Sequence, residues 1–382
     1  MQPECSCEVS TVACNNYSRE NIITALKELL APLGGLTNIK PGMTVGIKAN
    51  LVSAALPGES ATTHPMLICC MTELLTEAGA NVIIGDSPGG LYNIQHLSKV
   101  YETTGMKLAE EAGAKLNDNF GTKETENPSG VILKSFTYTS WLDECDFIIN
   151  FSKLKTHGMM GMSAAAKNMF GTVPGIMKPE YHYRFPNLSD FSNMIIDLDE
   201  YFSPMLCICD AIDGMEGNGP TKGTPRHIGC LLASHSPHKL DLIAADIIGL
   251  TKDNVPTLSA AYLRGLVPDS PEEVITSEDY KKYCISDYKN VAVRSSLLFD
   301  GGHKLRRSVL KAVLSSRPKL KRSECVGCGK CKKMCPAKAI EISKNKKAEI
   351  DRNKCIRCFC CQEFCPVGAM KVHRTFIAKM MD

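Results

Sequence analysis

The chain has 382 residues, 44% of them hydrophobic and 22% charged, with a formal net charge of +3. This excludes a disordered or low-complexity chain, and the length suggests two or three domains. The opening MQPECSCEVSTVAC lacks the apolar stretch of a signal peptide and no run approaches a membrane span, so a cytoplasmic protein is expected, its 19 cysteines serving as thiols or cluster ligands rather than disulfides.

In chain order, EVSTVAC (8–14) reads as a first strand, and Asn21 to Leu30 has apolar residues at helical spacing. KPGMTVGIKANLV gives a Pro-Gly turn and a buried strand from Thr44 to Ile47. THPMLICCMTELLTEAGA reads as a helix capped near Thr63 with proline in its first turn, and NVIIGDSPGG as a strand running into a loop. Lys99 to Gly113 is predicted helical, GVILKSFTYTS and CDFIINFSKLKTH extended, and Leu188 to Phe202 helical. MLCICDA and IGCLLAS read as strands, and His238 to Leu250 as an amphipathic helix. Recurring strand, loop and helix predict an α/β body with a largely parallel sheet over residues 1–299. A basic linker over 300–320 is expected to join it to a small, cysteine-rich α+β domain over 321–382.

That last assignment rests on cysteine spacing. Cys325, Cys328, Cys331 and Cys335 stand as C-x-x-C-x-x-C-x-x-x-C-P, and Cys355, Cys358, Cys361 and Cys365 repeat it. This is the spacing of bacterial two-cluster ferredoxins, in which three close thiolates hold one cubane and the fourth reaches the other. It predicts two [4Fe–4S] clusters, one on Cys325, Cys328, Cys331 and Cys365, the other on Cys355, Cys358, Cys361 and Cys335. Zinc has no use for the doubled third cysteine, and a disulfide framework would need an oxidising compartment. CPAKAIEI and CPVGAMKV match in their apolar positions, so each half is expected to be a cysteine loop, a short helix and a short strand. Cys360 falls outside the spacing and is expected to pack beside a cluster, whereas Cys69, Cys70, Cys207, Cys209 and Cys230 lie in apolar runs and read as core; Cys5 and Cys7 lie near the chain's start.

Charge is divided unevenly: residues 300–382 carry 21 Lys/Arg against 7 Asp/Glu, and the first 299 carry 23 against 34. Clusters held by four thiolates are anionic, which accounts for part of the basic excess, and the rest suits an acidic redox partner. Nucleic-acid binding is not expected, since no aromatic-basic platform or helix-turn-helix pattern accompanies the charge.

Within the body, polar residues cluster where strands end, the usual ligand position in an open α/β sheet. They are Lys48 and Asn50, then His64, Asp86 in GDSPGG, Lys153, Lys155 and His157 in SKLKTHG, Lys167 and Asn168 in AAAKNMFG, and Asp210 and Glu216 before GNGPTKG. Lysines, histidines and backbone amides so arranged suit an anionic or phosphorylated ligand, although neither a P-loop nor a full dinucleotide fingerprint is present. Blander roles compete: Asp86 as a turn cap, His64 as a helix N-terminal group, Lys153 and Lys155 on an exposed edge, GNGPTKG as a simple turn or a gating loop. His157, following two lysines, is expected to have a lowered pKa and a neutral ring. Catalytic roles are assigned to His157, Lys155, Lys153 and Lys167, and cofactor or ligand binding to Lys48, Asn50, His64, Asp86, Asn168, Asp210 and Glu216.

IKANLV, THP, GDSPGG, FSKLKTHG, AAAKNMFGTVPG and the aspartate of CDAIDGMEGNGPTKG, with the spaced cysteines, resemble domain-of-unknown-function 362 proteins fused to a bacterial-type dicluster ferredoxin domain. The resemblance spans nearly the whole chain and implies an iron–sulfur protein without fixing a reaction. Where such blocks carry C-x-G-C, Gly327 keeps the glycine and Arg357 replaces it; a guanidinium there should favour the reduced state of the second cluster. VPGIMKPEYH, with Lys178 and His182, is similar to a segment of nickel-pincer lactate racemases, implying a cleft suited to an organometallic or phosphorylated cofactor. The leading expectation is electron transfer between a soluble carrier or redox enzyme and an anionic small molecule in the α/β cleft, an iron–sulfur oxidoreductase. The alternatives are a racemase-like or other non-redox enzyme with structural or sensory clusters, and an assembly factor without a substrate.

Overall fold

The computed structural model describes residues 6–291, 293 and 316–373. Its centre is an eight-stranded sheet built from β1 (Val9–Ala13), β2 (Thr44–Ala49), β3 (Asn81–Gly85), β4 (Ala114–Leu116), β7 (Phe147–His157), β8 (Gly161–Ser163), β9 (Leu206–Glu216) and β10 (Thr224–Ser234). A separate hairpin pairs β5 (Thr122–Glu126) with β6 (Ser135–Thr139). The path through the sheet is β1-β10-β9-β7-β2-β3-β4, with β8 folded back on β7. The pairs β9/β7, β7/β2, β2/β3 and β3/β4 are parallel, and β1/β10, β10/β9 and β7/β8 antiparallel. The sheet is therefore mostly parallel, as expected, with an antiparallel edge.

Strand side chains alternate between two apolar layers, as a sheet covered on both faces requires. Val82, Ile84, Leu231 and Ala233 pack with helices Arg19–Leu30 and Pro65–Glu77 on one face. Cys230, Leu232, Cys207 and Cys209 face helices Pro237–Ile247 and Pro256–Leu263 on the other, and Ile83 faces Leu188–Phe202 there, beside Trp141. The cysteines in these runs are small buried apolar residues, which is where sequence placed them.

The Pro65 helix is capped at His64, next to Thr63 as expected: His64 Nδ1 accepts from the Met66 amide. Other boundaries differ from expectation. The helix expected over Lys99 to Gly113 is two, Ile94–Thr104 and Leu108–Glu111, because Gly105 takes a left-handed conformation that closes the first. Of GVILKSFTYTS only Ser135–Thr139 is a strand, since the amides of Val131, Ile132 and Leu133 bond to the Asp197 carboxylate instead of a neighbouring strand.

The C-terminal module consists of β11 (Arg317–Leu320), β12 (Ile340–Ile342), β13 (Ala348–Ile350), β14 (Met370–His373) and two one-turn helices, Lys330–Lys333 and Cys360–Glu363. β11 pairs antiparallel with β14, and β12 with β13. The linker expected over 300–320 lies outside the described residues as far as 315, and so does Cys5. Its last four residues are corrected: Arg317–Leu320 is a strand of the module, because its backbone completes the β14 ladder. The two halves repeat in backbone as in sequence, with Gly327 and Gly329 matched by Arg357 and Phe359, all four at positive φ.

A cationic cavity between the body and the dicluster module

From β2 the chain proceeds to β3 and β4 on one side, while β7 and β9 lie on the other. The carboxyl ends of β2 and β7 therefore flank the point where strand order reverses, where an open sheet leaves a crevice. Asn50 leaves the end of β2, Asp86 the end of β3, and Lys155 and His157 the long extension of β7 that carries β8. The short helix Ala165–Asn168 adds Lys167 and Asn168.

At the base of the crevice the polar residues satisfy one another. Lys48 Nζ lies 2.7 Å from Asp86 Oδ1 and donates to Ala49 O at 2.9 Å. Asp86 also accepts from the amides of Leu51 and Ser87 at 2.6 and 2.7 Å. Asn168 donates to Lys48 O and Asn150 Oδ1 and accepts from Asn50, whose own oxygen accepts from Lys155 Nζ at 2.7 Å. Gly171 closes over this pair; a Cβ there would lie 2.2 Å from Asp86 Oδ1 and 2.4 Å from Lys48 Nζ.

Above the base lies a cavity of about 390 Å³. Lys155, Lys167, Lys178, His157 and His182 line it from the body, with Lys99, Lys222 and Lys330 at its walls, against the two carboxylates Asp86 and Glu363. Burial lowers the Lys155 pKa to about 7, helped by the charges of Lys167 and Lys153. Burial likewise brings Lys178 to about 8 and His182 to about 3, and lowers Lys167. Lys167 Nζ sits 4.9 Å from the Phe170 ring centroid and, among the described residues, makes no hydrogen bond or ion pair. His182 stacks on Phe191 at 4.4 Å with its Nδ1 buried and unpartnered.

His157 Nδ1 accepts from the amides of Met159 and Met160 at 3.1 and 3.2 Å, which places its ring proton on Nε2. That nitrogen is 3.0 Å from Glu363 Oε1, yet the two are not aligned as a hydrogen bond and each atom lacks a partner. The imidazole pKa is lowered, first by burial and then by Lys167, against Glu363, so the ring is neutral at neutral pH. Burial pushes Glu363 up, but His157, Lys167 and His182 outweigh it and hold the carboxylate at about 2.

Glu363 belongs to the module, and so does a whole wall of the cavity: Cys360, Glu363, Phe364, Cys365 and Pro366. The module is seated by shape and by hydrogen bonds. Phe364 covers Gly89, where a Cβ would lie 2.5 Å from its ring, and Gln362 covers Gly158. Gln362 Nε2 donates to Asn218 Oδ1 at 2.7 Å and Gly219 O at 3.0 Å, and Thr221 Oγ1 to Glu363 O at 3.2 Å. Cys358, Phe359 and Cys360 enter the apolar layer around Trp141, Phe170 and Phe191. The GNGPTKG segment, read from sequence as a turn or gate, is thus the loop that clasps the module.

Inside the module two small voids of about 20 Å³ each lie where cysteines converge. One is lined by Cys325, Cys328, Cys331 and Cys365, the other by Cys335, Cys355, Cys358 and Cys361. The amides of Ala339 and Ala369 donate at 3.2 Å to the Sγ atoms of Cys335 and Cys365, the two crossing cysteines. Four sulfurs apiece, apolar walls and amide donors suit two four-thiolate iron–sulfur clusters. Cys360 lines both the second void and the large cavity, and Cys365 both the first void and the cavity.

Four predicted site residues lie elsewhere. Lys153 Nζ is 2.8 Å from Asp210 Oδ2 and 3.0 Å from the Tyr17 hydroxyl, which donates to Asp210 Oδ1. His64 stacks on Tyr17 at 3.7 Å, and its amide donates to Asp210. Burial brings the His64 pKa to about 4. Glu216 accepts from the Lys289 amide and pairs with its side chain. None of the four lines the cavity; they tie Tyr17 to β9 and brace the 289 loop. Glu363, Cys360 and Phe364 were missed as cavity residues, because their spacing to the cysteines says nothing of which wall they face. Lys178 and His182, noted only for a short resemblance, line it.

A family model described as a domain of unknown function (DUF362) matches residues 45–246, and one for a 4Fe-4S dicluster domain matches 324–369. A thylakoid-associated protein of Synechocystis sp. is 30% identical over 288 residues, 74% of this chain and 87% of that protein. The lactate racemase apoprotein of Thermoanaerobacterium thermosaccharolyticum is 14% identical with a TM-score of 0.37, and a Thermotoga maritima protein 12% identical with a TM-score of 0.34. The matches cover 59% and 56% of this chain but only about half of those chains, 54% and 55%. Among the described residues no helix is long and apolar enough to cross a membrane. The chain belongs to the domain-of-unknown-function 362 family and carries a C-terminal 4Fe–4S dicluster domain.

Proposed function

We propose that this is an iron–sulfur oxidoreductase that delivers single electrons to an anionic small molecule held between its two parts. The observation that carries this reading is the composition of the cavity: lysines and histidines from the body on one wall, residues of the cysteine loops on the other. In this reading Cys325, Cys328, Cys331 and Cys365 hold one cluster and Cys355, Cys358, Cys361 and Cys335 the second, and when bound the two supply one electron each.

The body residues do the rest. Lys167, held over Phe170 without an anionic partner among the described residues, is the principal anion contact. Lys178 and Lys155 add charge, and Lys155, with a pKa of about 7, gives up a proton readily at neutral pH. His157 holds a proton at Nε2 and presents it beside Glu363, in reach of a group that gains electron density. The Lys48–Asp86 pair and the Asn50–Asn168 bridge fix the base of the site, so that the cationic groups stand preorganised. Lys153, His64, Asp210 and Glu216 have structural roles here.

The test is single-turnover reoxidation. Anaerobically reconstituted protein is reduced with dithionite, freed of reductant, and mixed with carboxylates, phosphate esters and oxoanions in turn while cluster absorbance is followed. One class should reoxidise the clusters, and Lys167→Met and His182→Phe should slow that step by about 10²-fold or more with unchanged cluster EPR. Reduced clusters that remain stable toward every anion, including those that bind, would refute the proposal.

A further inference from the structure

The two cysteine sets differ in access to solvent. Cys358 is buried against the body's apolar layer and Cys361 within the module's own small core, with Cys335 and Cys355 half-buried, whereas Cys328 of the other set is exposed, with Cys325, Cys331 and Cys365 half-buried. Val326 and Val367 line the same void as Cys328 and stand 63% and 43% exposed. Among the described residues, this exposed apolar pair belongs to none of the hydrophobic clusters.

The module that carries the pair is strongly basic. The described part of the module, residues 316–373, carries 15 Lys/Arg against 5 Asp/Glu. Two cluster dianions would still leave about six positive charges. Lys333, Lys344 and Lys346 are exposed, and their side chains make no ion pair or hydrogen bond among the described residues. Lys346 also packs against Gly327: its carbonyl oxygen would lie 2.3 Å from a Cβ placed there, which sets it beside the Val326–Cys328 loop. An exposed apolar pair on a strongly basic module, with Lys346 beside it, suits a transient protein interface, and the sign of the charge selects an acidic partner.

We infer that the Val326–Cys328 face is the docking surface for a small acidic one-electron carrier protein, through which electrons reach the clusters. The carrier loses one electron and the cluster at Cys325, Cys328, Cys331 and Cys365 gains it; no bond or proton is exchanged. This rests on the reading that the clusters carry electrons, and it adds where they arrive.

The probe is an acidic plant-type [2Fe–2S] ferredoxin, with binding to the anaerobic holoprotein measured by surface plasmon resonance and electron transfer by stopped flow. Association should weaken about tenfold or more between low and 0.2 M salt. The triple variant Lys333→Glu, Lys344→Glu, Lys346→Glu should lower the low-salt association rate about 10- to 100-fold and flatten the salt dependence. Its iron content, EPR signals and direct reduction by dithionite should not change. Lys27→Glu with Lys40→Glu, on the body, should leave the rate within about twofold. Wild-type association that ignores salt, a triple variant that binds as wild type does, or tight binding of duplex DNA in place of the ferredoxin would each overturn the inference. Ferredoxin that docks and reduces the clusters while no anion reoxidises them would instead count against the proposed function alone.

Discussion

Lys155 offers the sharpest test of the cavity's electrostatics. Its ammonium is buried, donates to Asn50 Oδ1 and Ala61 O at 2.7 Å, and, among the described residues, has no carboxylate within ion-pair distance. Burial, then the charges of Lys167 and Lys153, bring its pKa to about 7. Against an ordinary lysine near 10.4, that depression corresponds to about 5 kcal/mol of disfavour for the charged form. At pH 7 about half the Lys155 amines are neutral, while an exposed lysine is neutral in roughly one molecule in a few thousand. Competitive labelling with trace acetic anhydride, read by peptide mass spectrometry across pH, should give a midpoint near 7 for Lys155 and near 8 for Lys178. Lys167→Met should raise the Lys155 midpoint by on the order of one pH unit, without restoring 10.4 because burial remains. The unfolded chain would keep this proton up to about 10.4, so the Lys155 contribution to stability is least favourable below pH 7 and improves as pH rises between the two values. Anion binding has the opposite sense: sulfate, whose own charge is constant over this range, should bind most tightly below pH 7 and lose affinity through pH 7 to 8. A wild-type Lys155 midpoint above 9.5, or one that Lys167→Met leaves in place, would refute this account.

Three further outcomes are expected. Asp86→Ala leaves Lys48 buried without its counter-ion and should cost about 3–5 kcal/mol, seen as a fall in the body's thermal unfolding temperature of roughly 10 °C. Gly89→Val drives a side chain into the Phe364 ring and should release the module's second cysteine block from the body, read as faster hydrogen exchange over residues 358–366 with iron content intact. Arg357→Gln should lower the second cluster's midpoint by about 50 mV, the scale of about 1 kcal/mol for one electron, and leave the first unchanged in an EPR-monitored redox titration; Arg357→Gly should shift it equally and also relieve a left-handed residue at φ 61°.

What sequence made legible follows the range over which each feature is encoded. Cysteine spacing is local, so both cysteine sets and an expected crossing between them could be read from the sequence before any fold was known. Short apolar runs placed the central strands, and helical spacing placed Leu188–Phe202 to the residue. The divided roles of the lysines were not legible. Lys153 and Lys155 are two residues apart on one strand, yet the pairing of β7 with β9 shifts register between them. One lysine meets Asp210 and the other opens on the cavity, and nothing local to SKLKTHG encodes that shift. Glu363 was illegible for a related reason: its importance lies in His157, 206 positions away in the chain.

The same long-range contacts argue that the fusion of the two parts is functional rather than a tether. A module joined only by a flexible segment would present a polar surface to the body and keep its own apolar residues to itself. Here Phe359 and Cys360 enter the body's apolar layer, two glycines of the body make room for Phe364 and Gln362, and the Asn218–Thr221 loop bonds to the backbone and side chains of the second cysteine block. Phe359 also occupies a left-handed position filled by Gly329 in the first block, a strained choice that is compensated by the ring's burial. The first block, which reaches the cavity through Lys330, keeps glycines at both positions and leaves Cys328 open. The two halves of one internal repeat have therefore diverged, the second fixed against the body and the first left more open to solvent, an asymmetry that suits the electron path proposed above from an outside carrier to an enclosed anion.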